Sequence, residues 1–204
     1  MSRHQNLIST IKAFATVADK LRRQNPAPSP FSLAFLTDAS RIGEPLIVAS
    51  TMPKGSAIIM RDYDLPDRAI RAQALRKACH ARGVLFLIAG DDGLAEDTGA
   101  DGVHWPSWQC DREKPAGMVA SAACHNKEEI EQAEQDKADV VFLSPVFATD
   151  SHPGENTLGI DAFTDLAATS TLPVLALGGI TTKTVHRLES TPASGFGAIG
   201  AFGS

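Results

Sequence analysis

The sequence predicts a (β/α)8 TIM barrel with an extra N-terminal helix and a truncated or missing last helix. Eight short apolar runs, several nearly unbroken, recur along the chain, and strands that read this way are buried on both faces, as parallel strands under helices are. Helix-like stretches alternate with several of these runs within about 170 residues, a compact length for a closed barrel. The turn after the first run, LTDASRIGEP, carries no G-x-G-x-x-G, which argues against the competing open, doubly wound sheet.

Taken in order, residues 7–22 place Leu7, Ile8, Ile11, Phe14, Ala15, Val17, Ala18 and Leu21 at helical spacing, so an amphipathic helix begins the chain. The segment NPAPSP at 25–30 ends it, because each proline removes a donor and restricts its predecessor. Residues 1–30 therefore read as a helix and rigid connector, and 31–204 as the barrel domain. The strands fall at 31–37, 56–60, 83–89, 102–104, 118–123, 139–144, 173–179 and 195–200. Helices are expected at 66–81, opening near Pro66, and at 126–136, where Asn126 caps and Glu129 completes a capping box. Two more follow at 159–168 and at 181–190, the latter opening at Thr181 or Thr182. The link GDDGLAEDTGAD has room for about two helical turns. The chain stops four residues after the eighth run, leaving an apolar flank that a second copy would cover, so a homo-oligomer is expected.

A length of 204 residues with 43% hydrophobic content supports one core. The net charge of −5, with acids and bases interspersed, offers no basic stripe for nucleic acid. No apolar run approaches the roughly 20 residues a membrane span needs, and no secretory signal precedes the first helix, so a cytoplasmic protein is expected. Cys79, Cys110 and Cys124 are odd in number and widely spaced, which favours reduced thiols over disulfides or zinc.

The strongest chemical signal is LALGGITTKTVHRL at 175–188, where a strand ends in Gly178 and Gly179, followed by Ile180 and a helix start. Glycines let backbone amides approach an anion, and a helix N-terminus adds free N–H groups. In barrels the loops after strands seven and eight are the usual phosphate site, and Gly197, Gly200 and Ala201 supply the second half. The alternative is a tight turn whose glycines serve packing. After strand six, SPVFATDSHPGENTLGIDAF is polar and long enough to form a lid, with Thr149, Ser151, His152 and Asn156 as phosphate donors, or else it is a solvated loop. Arg61 ends strand two and points at the mouth, or pairs with Asp62 or Asp64. His104 and His125 end strands four and five and are either packed residues or proton carriers. Asp91 and Asp92 either hold Mg²⁺ or form a solvated turn.

In order and spacing these motifs resemble the thiamine phosphate synthase and TenI family of TIM barrels, over about 33–202. The carrying residues are GADGVH at 99–104, SPVFATDSH at 144–152, and PVLALGGI at 173–180. The resemblance implies a transferase that condenses thiazole phosphate with hydroxymethylpyrimidine pyrophosphate, assisted by Mg²⁺, with Arg61, Thr149, Ser151, His152 and His125 at the catalytic end. Departures from the family pattern cluster there. The strand-two pattern Q-x-R-x-K reads Ile59, Arg61, Tyr63, and the Asn-Asp metal pair aligns with Ala89 and Gly90, just before Asp91 and Asp92. WPSWQ replaces the residues after G-V-H, Ala123 replaces a serine, and His152 replaces the lid lysine. The TenI branch implies a second activity, isomerisation of a thiazole phosphate with His104, His125 or His152 moving the proton. A third outcome is a binder of a phosphorylated ligand without turnover.

Overall fold

The computed structural model describes residues 2–25, 28–40, 44–109, 112–149 and 156–202. Eight parallel strands pair in chain order and close on themselves: β1 (Leu33–Leu36), β2 (Ala57–Met60), β3 (Leu85–Ala89), β4 (Gly102–Trp105), β5 (Val119–Cys124), β6 (Val140–Leu143), β7 (Val174–Ala176) and β8 (Gly195–Ala198). Closure sets Leu33 beside Phe196 and Ala34 beside Gly197. The expected (β/α)8 barrel is the observed one.

The two-residue period of a strand sorts these runs into two cores. Ala57, Ile59, Leu87, Phe142 and Leu175 pack together in the lumen. Their neighbours Ile58, Phe86, Val141 and Leu143 face the helices. Both faces are dry, which is why the runs read as continuous apolar sequence.

The helices are α1 (Arg3–Gln24), α2 (Pro45–Thr51), α3 (Arg68–His80), α4 (Asp92–Thr98), α5 (Lys127–Gln135) and α6 (Gly159–Ala167). Ser2 starts α1 through a reciprocal box with Gln5, which extends the helix beyond the expected 7–22. Asn126 caps α5 by accepting from the Glu129 amide at 2.9 Å. The helix expected at 181–190 is instead a 3-10 helix, Val185–Ser190, and a second 3-10 turn, Gly200–Phe202, follows β8.

Helix α1 lies where an eighth barrel helix would. It buries Leu7, Ile11, Phe14, Val17, Ala18 and Leu21 on one stripe and packs on β8, β1, α2 and both 3-10 segments. Lys20 pairs with Glu189, and the Asn25 side-chain amide donates to the Ala193 carbonyl at 2.8 Å, both fixing the C-terminal end of the helix. The flank expected to stand bare is thus covered from within the chain, which removes the reason for placing a second copy there.

Candidate active site at the barrel mouth

Beyond the last lumen layer the inward-facing parity of the strands runs on into polar residues. They border a large cavity of about 1230 Å³, lined by Arg61, His104, His125, Thr149, Gly179 and Gly200 among others. On β2 the inward series Ala57, Ile59 continues to Arg61, whose backbone N–H donates to the Thr37 hydroxyl at 2.9 Å. Asp62 accepts from the Ala39 amide at 2.6 Å, and among the described residues neither Asp62 nor Asp64 forms an ion pair with Arg61. The guanidinium is therefore a mouth cation rather than half of a surface pair.

Glycines 178 and 179 both have positive φ, +94° and +65°. A Cβ on Gly178 would stand 2.8 Å from the Pro145 Cα, and one on Gly179 would stand 2.5 Å from the Ala148 carbonyl oxygen. What approaches these glycines so closely is the chain's own lid segment, pinned by Val146 N–H to Leu177 O at 2.9 Å and Phe147 N–H to Gly178 O at 3.1 Å. Packing thus explains the missing side chains, while the amides of Gly179 and Ile180 donate to no described acceptor. The same holds for the amides of Gly200 and Ala201, which border the same cavity. Amides left without acceptors at the edge of a cavity, buried at Ile180, half-buried at Gly179 and Ala201 and exposed at Gly200, form a ready anion seat.

Two parts of the expected phosphate site change. The N–H groups of Thr181, Lys183 and Thr184 are taken by threonine hydroxyl oxygens at 2.9 to 3.3 Å, so no free helix N-terminus exists there. Gly197 faces the lumen, where a Cβ would lie 2.8 Å from Leu36 and Phe142, and it does not border the cavity.

His104 is buried, with Nδ1 2.9 Å from the Ser121 hydroxyl and its ring edge-on to Phe142. Burial, reinforced by Arg61 and Arg112, pushes its pKa down to about 3, so the ring stays neutral. His125 is exposed at the rim. One oxygen of Glu129 accepts from both the His125 backbone N–H, at 2.8 Å, and ring Nδ1, at 2.9 Å. A carboxylate only accepts, so the proton sits on Nδ1 and Nε2 is left as the acceptor. The i,i+4 spacing of His125 and Glu129 was the signal for this couple; read only as a helix box, Glu129 escapes notice as an orienting group. Cys124, next to it, is buried with its thiol pushed up to about 12, and Cys79 likewise, so neither is a nucleophile.

The magnesium pair does not fit. Asp91 spends one oxygen capping α4 through the Leu94 amide, at 2.9 Å, and the other on Arg68, at 3.1 Å. Asp92 is turned toward Trp105 and Gln109, and burial raises its pKa. Neither borders the cavity, and among the described residues no three acidic, histidine or cysteine side chains converge. Of the lid donors, Thr149 borders the cavity and Asn156 is exposed. Ser151 and His152 lie outside the described residues, as does Cys110.

Comparison with known proteins matches residues 33–202 to the family model described as thiamine monophosphate synthase. The chain belongs to the thiamine-phosphate synthase family. It is 34% identical to the thiamine-phosphate synthase of Methanoculleus marisnigri, over 71% of this chain and 72% of that one. It is 32% identical to that of Latilactobacillus sakei, over 72% of this chain and 68% of that one. The solved thiamine phosphate pyrophosphorylase from Pyrococcus furiosus superposes with a TM-score of 0.73 at 22% identity, covering 86% of this chain and 89% of that one, which shows the shared barrel.

Proposed function

We propose that this protein condenses a thiazole phosphate with a hydroxymethylpyrimidine pyrophosphate, as a cytoplasmic enzyme of thiamine biosynthesis. The observation that carries this reading is that one cavity has two separate poles for anions. The amides of Gly179, Ile180, Gly200 and Ala201 form one, and the Arg61 guanidinium on β2 forms the other. A reaction between two phosphorylated partners needs two such poles, whereas isomerising one partner needs only one.

In the reaction a thiazole nitrogen forms a C–N bond to the pyrimidine methylene carbon as the C–O bond to pyrophosphate breaks, and the leaving group departs with the electron pair. The amides would hold the thiazole phosphate. Arg61 would receive charge developing on the pyrophosphate, with the Thr149 hydroxyl beside it, and the lid residues Ser151 and His152 belong to the same expectation. No step is assigned to Mg²⁺, since Asp91 is held by Arg68 and the Leu94 amide and neither Asp91 nor Asp92 borders the cavity.

A second reading, isomerisation of a thiazole phosphate, is favoured by the His125–Glu129 couple, which leaves a basic nitrogen at the rim. The test is incubation of the purified protein with both substrates, with and without Mg²⁺. Thiamine phosphate and pyrophosphate appearing together support the synthase reading. Tautomer interconversion that disappears in His125→Gln supports the second, and binding without either product leaves a non-catalytic binder.

A further inference from the structure

Two large aromatic side chains stand at the mouth where burial would be the norm. Trp108 is 63% exposed and Tyr63 36% exposed, and both border the cavity. Their rings meet edge to face with centroids 5.8 Å apart. The pair is braced from below and behind. Arg68 lies 5.7 Å over the Tyr63 ring and is itself held by Asp91 and by the Ala89 carbonyl, at 2.6 Å. Gly90, at φ +67°, makes the seat: a Cβ there would come within 3.0 Å of Trp108 and 3.2 Å of Tyr63. The buried Arg112 ties down the loop that carries Trp108 by donating to the Gln109 carbonyl at 2.7 Å and the Pro106 carbonyl at 3.3 Å.

An exposed tryptophan held this firmly has lost the conformational freedom that a solvated side chain keeps, so stacking a flat ring on it carries little further ordering cost. Arg61 lies next to Tyr63, close enough to oppose the rise that burial gives the phenol's pKa, so a flat face and a cation for anions adjoin on the same wall.

We propose that Trp108, with Tyr63 at its edge, is a stacking platform for the heteroaromatic ring of the substrate whose phosphates reach Arg61. Resting on the two-pole reading above, this assigns ring recognition of the pyrimidine pyrophosphate to the β2 and β4–β5 wall.

The sequence has two tryptophans, and Trp105 is fully buried, so ligand-dependent change in intrinsic fluorescence reports chiefly on Trp108. Titration with pyrimidine pyrophosphate is expected to quench the emission saturably. Trp108→Leu, checked for an unchanged circular dichroism spectrum, is expected to weaken calorimetric binding about tenfold, and Trp108→Phe to restore most of it. Tyr63→Leu gives a second, smaller loss. Inorganic pyrophosphate, which has no ring, is expected to bind wild type and Trp108→Leu equally. If Trp108→Leu binds pyrimidine pyrophosphate as tightly as wild type while Arg61→Ala does not, the platform is overturned and the anion site survives. If neither pyrimidine pyrophosphate nor pyrophosphate binds wild type, the two-pole reading fails and the platform falls with it.

Discussion

Phe14 of α1 stands edge-on to Phe196 of β8, with ring centroids 5.2 Å apart and planes at 87°. The same ring meets Phe202 at 5.6 Å, so one side chain from the start of the chain seals the barrel at its end. Phe14→Ala is therefore expected to cost about 3–5 kcal/mol, measured by urea denaturation. A loss below about 1 kcal/mol would show that α1 is not a structural substitute for the eighth helix.

Gly179 and Gly200 border the same cavity but differ in surroundings. Alanine at Gly179 would push against Phe147 and Ala148 at a positive φ, whereas alanine at Gly200 meets nothing within 4 Å. Gly179→Ala should destabilise by about 1–3 kcal/mol and unseat the lid. Gly200→Ala should leave thermal stability within about 0.5 kcal/mol of wild type. Equal midpoints for the two variants in thermal denaturation would count against the lid contact.

His104 ties stability to pH. Its folded pKa is about 3 against 6.5 for the free side chain, because burial disfavours the charged ring. Between those values the unfolded chain binds a proton that the native state refuses, so acidification from 6.5 toward 3 removes stability, at about 1.4 kcal/mol per pH unit from this group. Above 6.5 both states are neutral and the contribution is flat. Stability curves of wild type and His104→Asn measured at several pH values should converge on acidification, and parallel curves would contradict the assignment.

Arg61 has no described acidic partner, so its removal leaves no buried charge behind. Arg61→Ala should keep the folding midpoint and weaken pyrophosphate binding about tenfold or more, as loss of a charged hydrogen-bond donor does. Calorimetry and thermal denaturation on the same preparation separate the two effects.

The barrel was legible because each strand is dry on both faces, so runs such as GVLFLIA and DVVFLS carry their burial in composition alone. The substitution of α1 for the eighth helix was not, since nothing in the spacing of Leu7, Ile11 and Phe14 says which strands that stripe covers. At the site, Arg61 was legible from its place at the end of strand two, and it does border the cavity. Gly178 and Gly179 were found, but sequence shows only where a side chain is missing, and the fold shows that Pro145 and Ala148 fill the space. The turn expected at Thr181 does open there, its hydroxyl accepting from the Lys183 and Thr184 amides and its carbonyl from the Val185 N–H at 2.9 Å, but the turns that follow tighten to a 3-10 helix. Asp91 and Asp92 read either as a metal pair or as a solvated turn, and what the sequence did not show is that Arg68, distant in sequence, holds Asp91.

The most direct test is amide-resolved NMR of the protein titrated with thiazole phosphate and, separately, with the corresponding alcohol that lacks the phosphate. The two-pole reading predicts phosphate-dependent shifts at Gly179, Ile180, Gly200 and Ala201 that the alcohol does not produce. Identical shifts with both ligands, or phosphate-dependent shifts elsewhere with these amides unmoved, would contradict it.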